Sequence, residues 1–306
     1  MGLTRFPHGA SSFGAPISNQ LPLTFGTYFF VDSNNGSTSY DGLSPQYPLL
    51  TTAAAVSKVT ANKGDVVVWL PGHNENIGNE QIALSKAGTS YIGVGNGALR
   101  PRFDFDHANA SIDVTASNVY IRNARLLPSV TAVLIGIDVN AAATGVVIED
   151  VEVLPGEDGA GVDEFTIGID VKAGCDDLVV RRFKERQHAS AAGTIAGVKL
   201  TGASDNVEIS GCDINIIGAG VTAPIVGDTT LSTNVRIFDN LLVTDAEPGI
   251  ELLTGTTAQI YDNYISTDLA TKAAAIVADT AFMFENYYCE VVTETGGIIG
   301  TASADD

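Results

Sequence analysis

The sequence predicts an all-β chain wound as a parallel β-helix, and three observations predict it. A phrase of a polar pair, an aliphatic, any residue and a second aliphatic recurs as Ser117-Asn118-Val119-Tyr120-Ile121, Thr144-Gly145-Val146-Val147-Ile148, Asp176-Asp177-Leu178-Val179-Val180, Asp205-Asn206-Val207-Glu208-Ile209 and Thr233-Asn234-Val235-Arg236-Ile237. An aliphatic-polar-aliphatic phrase lies upstream in the same units: Ile112-Asp113-Val114, Ile137-Asp138-Val139, Ile169-Asp170-Val171, Val198-Lys199-Leu200 and Ile250-Glu251-Leu252. Helical periodicity is absent between them. Strands repeating every 23 to 32 residues with no crossover helix cannot build a doubly wound sheet, but they can coil with one unit per turn and the alternate aliphatics stacked inside.

In chain order, residues 1–26 read as an extended arm. It has no strand or helix period, and Phe6 and Phe13 sit among Pro, Gly and Ser, as in a segment that orders against a partner. Residues 27–65 read as an N-terminal cap: a strand from Tyr28, a turn-rich loop, and a short Ala-rich helix ending near Lys58 with Thr51 or Thr52 capping it. Residues 66–290 read as the solenoid. Its aliphatic anchors at 66, 92, 119, 146, 178, 207, 235, 258 and 281 give a rod roughly 40 Å long at about 4.8 Å per turn. Asn240, Asn263 and Asn286, with Asn123 and Asn96 assigned to the same place earlier, mark a structural corner: Asn tolerates left-handed backbone, and stacked amides hydrogen-bond up the column. Residues 291–306 read as a C-terminal cap or tail.

This order of elements, with Gly64-Asp65 and Pro71-Gly72 flanking the first strand, resembles the start of pectate-lyase-like right-handed β-helix proteins. The resemblance covers about residues 28–290 and implies the right hand of the coil. That family includes lyases, hydrolases and non-enzymatic viral proteins, so no single activity is implied. The arm, Leu3-Thr4-Arg5-Phe6-Pro7-His8-Gly9 through Phe13, resembles the N-terminus of tailed-bacteriophage proteins that accompany the major capsid protein. It implies a virion structural protein, a capsid decoration or cement protein, assembled in the host cytoplasm. Its partner is the major capsid protein, contacted through Arg5, Phe6, Pro7 and Phe13. The alternatives are a tailspike-like or secreted polysaccharide lyase or hydrolase, and a tail or baseplate component.

Acids outnumber bases 36 to 16, a formal charge of −20. Such a chain is repelled by nucleic acid and is expected outside packaged DNA. No stretch approaches 18 consecutive apolar residues, so no membrane partner is expected, and the first residues lack the apolar centre of a secretory signal. Cys175, Cys212 and Cys289 are too few and scattered for a disulfide framework or a zinc site. His73-Asn74-Glu75 matches only the first half of a zinc deaminase signature, and no phosphate loop or nucleophile elbow is present. No cofactor and no metal are expected.

The residues that could carry chemistry are Asp113, Asp138 and Asp170, the middle positions of the second phrase. They are expected to point outward in one column with Lys199 completing it, either as a solvated face or as the acids of a glycosidase or lyase. Charged insertions are expected in two long turns, one around Glu157 to Glu164 and one holding Arg181, Arg182, Lys184 and Arg186. Between the inward aliphatics, Tyr120, Val147 and Val179 form an apolar outward stripe. A homotrimer would bury it, as phage β-helix proteins of the resembled kind commonly do.

Overall fold

The computed structural model describes residues 21–290 except 23, 157–162, 187–192, 219, 228, 246 and 270–271, with the backbone of Ser11–Ser12, Ala15–Pro16 and Gly296–Ile299. Each turn of the coil gives one strand to each of three sheets. The first sheet has ten strands, from Tyr28–Val31 to Phe282–Phe284. The second also has ten, from Asn74–Ile77 to a closing hairpin of Asn286–Glu290 with Gly296–Ile299. The third has eight, from Ile82–Leu84 to Ile276–Val277. Within the coil the strand pairings are parallel, and the fold is the parallel β-helix that the repeats predict. In the arm, Ser11–Ser12 pairs antiparallel with Ala15–Pro16, while Arg5, Phe6, Pro7 and Phe13 lie outside the described residues.

The first phrase lies in the predicted register. Ile121, Ile148, Val180, Ile209, Ile237 and Ile260 pair strand to strand and are buried. A slip of one residue would turn this whole column to solvent, which is why alternation specifies the register so firmly. The earliest anchors are corrected, however. Ile121 pairs with Tyr91 and Tyr91 with Val67, so the inward residues of those turns are Tyr91 and Val67, whereas the anchors at 66 and 92 face outward. The reason is that Val66, Val68 and Ile92, on the outer face, are also buried, packed with Tyr28 and Phe30 and flanked by Leu21. A strand covered on both faces loses the alternation that reveals its register.

The third strand of each turn escaped the sequence reading. Segments such as Lys184–Arg186 and Asp213–Asn215 are three residues long with a single inward side chain, too short for a period to register. Two strands of the third sheet, Ile82–Leu84 and Ile225–Gly227, extend the second phrase to turns where it was not recognised. The last three corners also differ from expectation. The left-handed backbone belongs to Asp239, Asp262 and Glu285, at φ 56°, 54° and 53°, and the following Asn240, Asn263 and Asn286 are fully buried. Asn240 Nδ2 donates to Asn263 Oδ1 at 2.9 Å, and Asn263 Nδ2 to Asn286 Oδ1 at 2.9 Å. Asn123, at φ 60°, holds the left-handed position one residue earlier, and Asn96 only precedes a short 3-10 turn.

The helix Thr52–Lys58 closes the N-terminal end, burying Thr52, Ala55 and Val56, with Thr51 Oγ1 accepting from Ala54 N. Buried Glu75 accepts from both Thr52 N and Thr52 Oγ1, and Trp69 Nε1 donates to that same hydroxyl at 2.9 Å. His73 completes the network: Ser33 N–H donates to its Nδ1, so Nε2 carries the proton toward Glu75 Oε2 at 3.1 Å. The His73-Asn74-Glu75 phrase is thus a structural lock for the cap. No helix is long and apolar enough to cross a membrane among the described residues.

Candidate functional site

The third sheet aligns Asp113, Asp138, Asp170 and Lys199 in consecutive strands, as the second phrase requires. The column is not a solvated face. Asp170 is only 2% exposed, and it accepts from Lys172 Nζ and Thr201 Oγ1. Lys172 Nζ also lies 3.7 Å from Asp138 Oδ1, so Lys172, two residues on from Asp170, supplies a neutralising cation to both carboxylates. Asp113 accepts from Ser111 Oγ at 2.5 Å. Burial pushes the Asp138 carboxyl up to about 6; the charges of Asp170 and Asp113 push the same way, and Lys172 only partly offsets them. Burial also works against the charge on Lys172, but the two carboxylates outweigh it and raise its pKa. Beside this column lies a groove of about 280 Å3 lined by Asn79, Gln81, Asn109, Asp113, Leu134 and Asp138.

A second concentration of charge was hidden from sequence reasoning. Where the first sheet bends into the second, a groove of about 380 Å3 is lined by Arg100, Arg122, Arg182, Lys184, Asp150 and Glu152. Arg181, Arg182, Lys184 and Arg186 belong to the strands Val179–Arg181 and Lys184–Arg186 and to the corner between them, not to an inserted loop. Only the register brings them beside Arg100, Arg102 and Arg125, which lie roughly sixty to eighty residues away in sequence; reading down the column Arg102, Arg125, Glu152, Lys184 would have revealed it.

The apolar stripe is in register as expected, Tyr120 beside Val147 and Val147 beside Val179, each half-buried. Tyr120 packs against the outer cluster of Tyr28, Phe30, Val66, Val68 and Ile92. Its hydroxyl donates to Glu149 at 2.7 Å, and burial first, then that carboxylate, pushes its pKa up to about 12.

Aromatics are few in the chain but the coil aligns them. Phe238, Tyr261 and Phe284 stack with centroids 4.9 and 4.8 Å apart and planes within 5°, and Tyr264 stacks on Tyr287 at 4.8 Å. Rings stacked at the strand spacing cover one another's faces within each ladder, while Tyr264, at the end of its stack, is 55% exposed. Among the described residues no group of His, Cys, Asp and Glu side chains could hold a metal ion.

No family model matches the chain, and no curated protein matches it. Among solved structures it is similar to a rhamnogalacturonan lyase, at TM-score 0.46 and 15% identity over 82% of this chain and 84% of that one. It is likewise similar to the pectate lyase Pel9A, at TM-score 0.46 and 14% identity over 92% and 84%. ORF18 of Geobacillus virus E2 aligns at TM-score 0.38 and 12% identity over 86% of this chain and 61% of that one. The chain's own strand pairing makes it an all-β parallel β-helix, and similarities of this size add nothing to that.

Proposed function

We propose that the protein is a structural component of a tailed-phage particle, a decoration or cement protein that binds the outer capsid surface through its N-terminal arm. The observation that carries this reading is the state of the aspartate column: buried Asp170 is held by Lys172 and Thr201, which makes the column a structural network within the chain. The charge of −20 supports it further by favouring the side of a capsid away from DNA. The test is co-sedimentation with capsids assembled without this protein. The full chain is expected to bind saturably, and a chain lacking residues 1–20 to stay in the supernatant; Leu21 is kept because it packs on the outer apolar cluster. Failure of the full chain to bind removes the capsid role, and full occupancy by the truncated chain removes the arm's.

One observation favours a second reading, a polysaccharide lyase or hydrolase: the Asp138 carboxyl, raised to about 6, borders a groove. A group half-protonated near neutral pH is suited to general acid catalysis. Depolymerisation of a host-surface or pectic polysaccharide by the purified protein, lost in Asp138→Asn, would establish that reading in place of the first.

A further inference from the structure

Charge is unevenly spread along the chain. Residues 200–306 hold 16 Asp and Glu against two bases, Arg236 and Lys272, so this stretch carries −14 of the net −20. Three of those acids mark one corner. Asp239, Asp262 and Glu285 take the same left-handed place in the last three turns, where the first sheet bends into the second. The residues before them pair, Phe238 with Tyr261 and Tyr261 with Phe284, which sets the acids in a column at about 4.8 Å per step. Among the described residues none of the three side chains has a hydrogen bond or an ion pair, and Arg236 is engaged by Glu208 at 3.1 Å. Apolar side chains flank the column on both sides. On the first sheet the stacked rings of Phe238, Tyr261 and Phe284 precede the acids, and exposed Phe282 lies 5.4 Å from Phe284. On the second sheet Leu241, Tyr264 and Tyr287 follow them in paired register, and all three are exposed. Glu208, Arg236 and Gln259 separate Phe282 from the stripe of Tyr120, Val147 and Val179 in the same column, so this is a second surface. A contiguous exposed apolar surface beside polar groups marks an interaction site.

We propose that this corner docks a basic amphipathic helix of a partner protein, its Lys or Arg residues on the acid column and its apolar residues on the two flanking ladders. Charge complementarity decides the occupant. A second copy seated on the same corner would set three carboxylates against three, and the chain's own residues 300–306 add Asp305 and Asp306. Like charges in contact disfavour both. Side chains one helical turn apart recur at about 5–6 Å, close to the ~4.8 Å step of the column, whereas those on one face of an extended segment recur at ~6.8 Å. A lysine stem packs along apolar surface while its ammonium reaches a carboxylate, which suits acids set between rings. The corner lies at the opposite end of the coil from the capping helix, so this docking stands apart from the arm's role.

The test uses the full chain and a fluorescein-labelled helical peptide of Lys, Leu and Ala, with Lys at i, i+4 and i+8 between Leu residues. Anisotropy is followed at about 0.1 M salt, where charges more than ~10 Å apart are screened and contact pairs persist. Saturable binding is expected, with none for the same peptide carrying Glu in place of Lys and weaker binding when Ala replaces Leu. The triple variant Asp239→Asn, Asp262→Asn, Glu285→Gln is expected to bind about ten-fold more weakly, equivalent to ~1.4 kcal/mol. The matched variant Asp41→Asn, Glu80→Gln, Asp106→Asn removes the same charge at exposed sites near the other end and is expected to bind as the wild type does. Should the first variant melt early, Tyr264→Ser with Phe282→Ser at exposed rings replaces it, with weaker binding again expected. Absence of saturable binding, equal binding by the two triple variants, or displacement by calcium ions at lower concentration than by unlabelled peptide would overturn the proposal. So would self-association of the wild type that the first variant abolishes, since that places a second copy on the corner.

Discussion

Asp138 carries the largest mismatch between a side chain and its surroundings in the aspartate column. Its folded-state pKa of about 6 stands above the ordinary 3.8. The folded chain therefore takes up the proton first, and stability rises as pH falls from above 6 toward 3.8. Asn cannot ionise, so Asp138→Asn is expected to melt about 2 °C or more above the wild type at pH 8, a gain of roughly 1 kcal/mol. The gap should close as pH falls from 6 toward 3.8, and melting curves across that range check it; a gap independent of pH would contradict the burial account. At this scale the sequence made the column's register legible, because Ile-Asp-Val repeats name their own middle residue. Lys172 was not legible, because nothing in the alternation says that its amine turns back to bridge Asp138 and Asp170.

The asparagine ladder shows how an element is held at its corners. Asn263 is fully buried, and its Oδ1 accepts from both Asn240 N at 3.2 Å and Asn240 Nδ2 at 2.9 Å. Asn263→Ala leaves those two donors in a dry interior and is expected to cost about 2–4 kcal/mol, read from the urea midpoint with the slope unchanged. A loss within experimental error would mean that water replaces the amide. Gly197 in a third-sheet strand and Gly249 just before another explain how the coil stays narrow: a Cβ on Gly197 would lie 2.7 Å from Ile214 Cγ2, and one on Gly249 2.7 Å from Ile265 Cγ2. The helix and most strands of the first and third sheets could be read from capping and alternation. The second sheet could not, since strands such as Asp213–Asn215 place one apolar residue between two polar ones.

Across the whole molecule, the apolar groups left outside are the guide to assembly. Tyr120 is partly covered by Tyr28, Phe30 and their neighbours in the same chain, while Val147 and Val179 continue the stripe along the first sheet. A homotrimer that buries this stripe is the expected assembly, and light scattering of the purified protein should then give three times the chain's 31.8 kDa. Val147→Lys should reduce that mass to one chain with the circular dichroism unchanged, because residue 147 points away from the core; a monomeric wild type would remove the trimer. The central claim, the proposal that this solenoid decorates a capsid, is tested most directly by cryo-electron microscopy of phage capsids incubated with the purified chain. The account predicts rod-shaped density about 43 Å long, nine intervals of about 4.8 Å, standing on the outer capsid surface with its N-terminal end toward the shell. Capsids bare of such density, with the chain found only at the tail or free in solution, would contradict it.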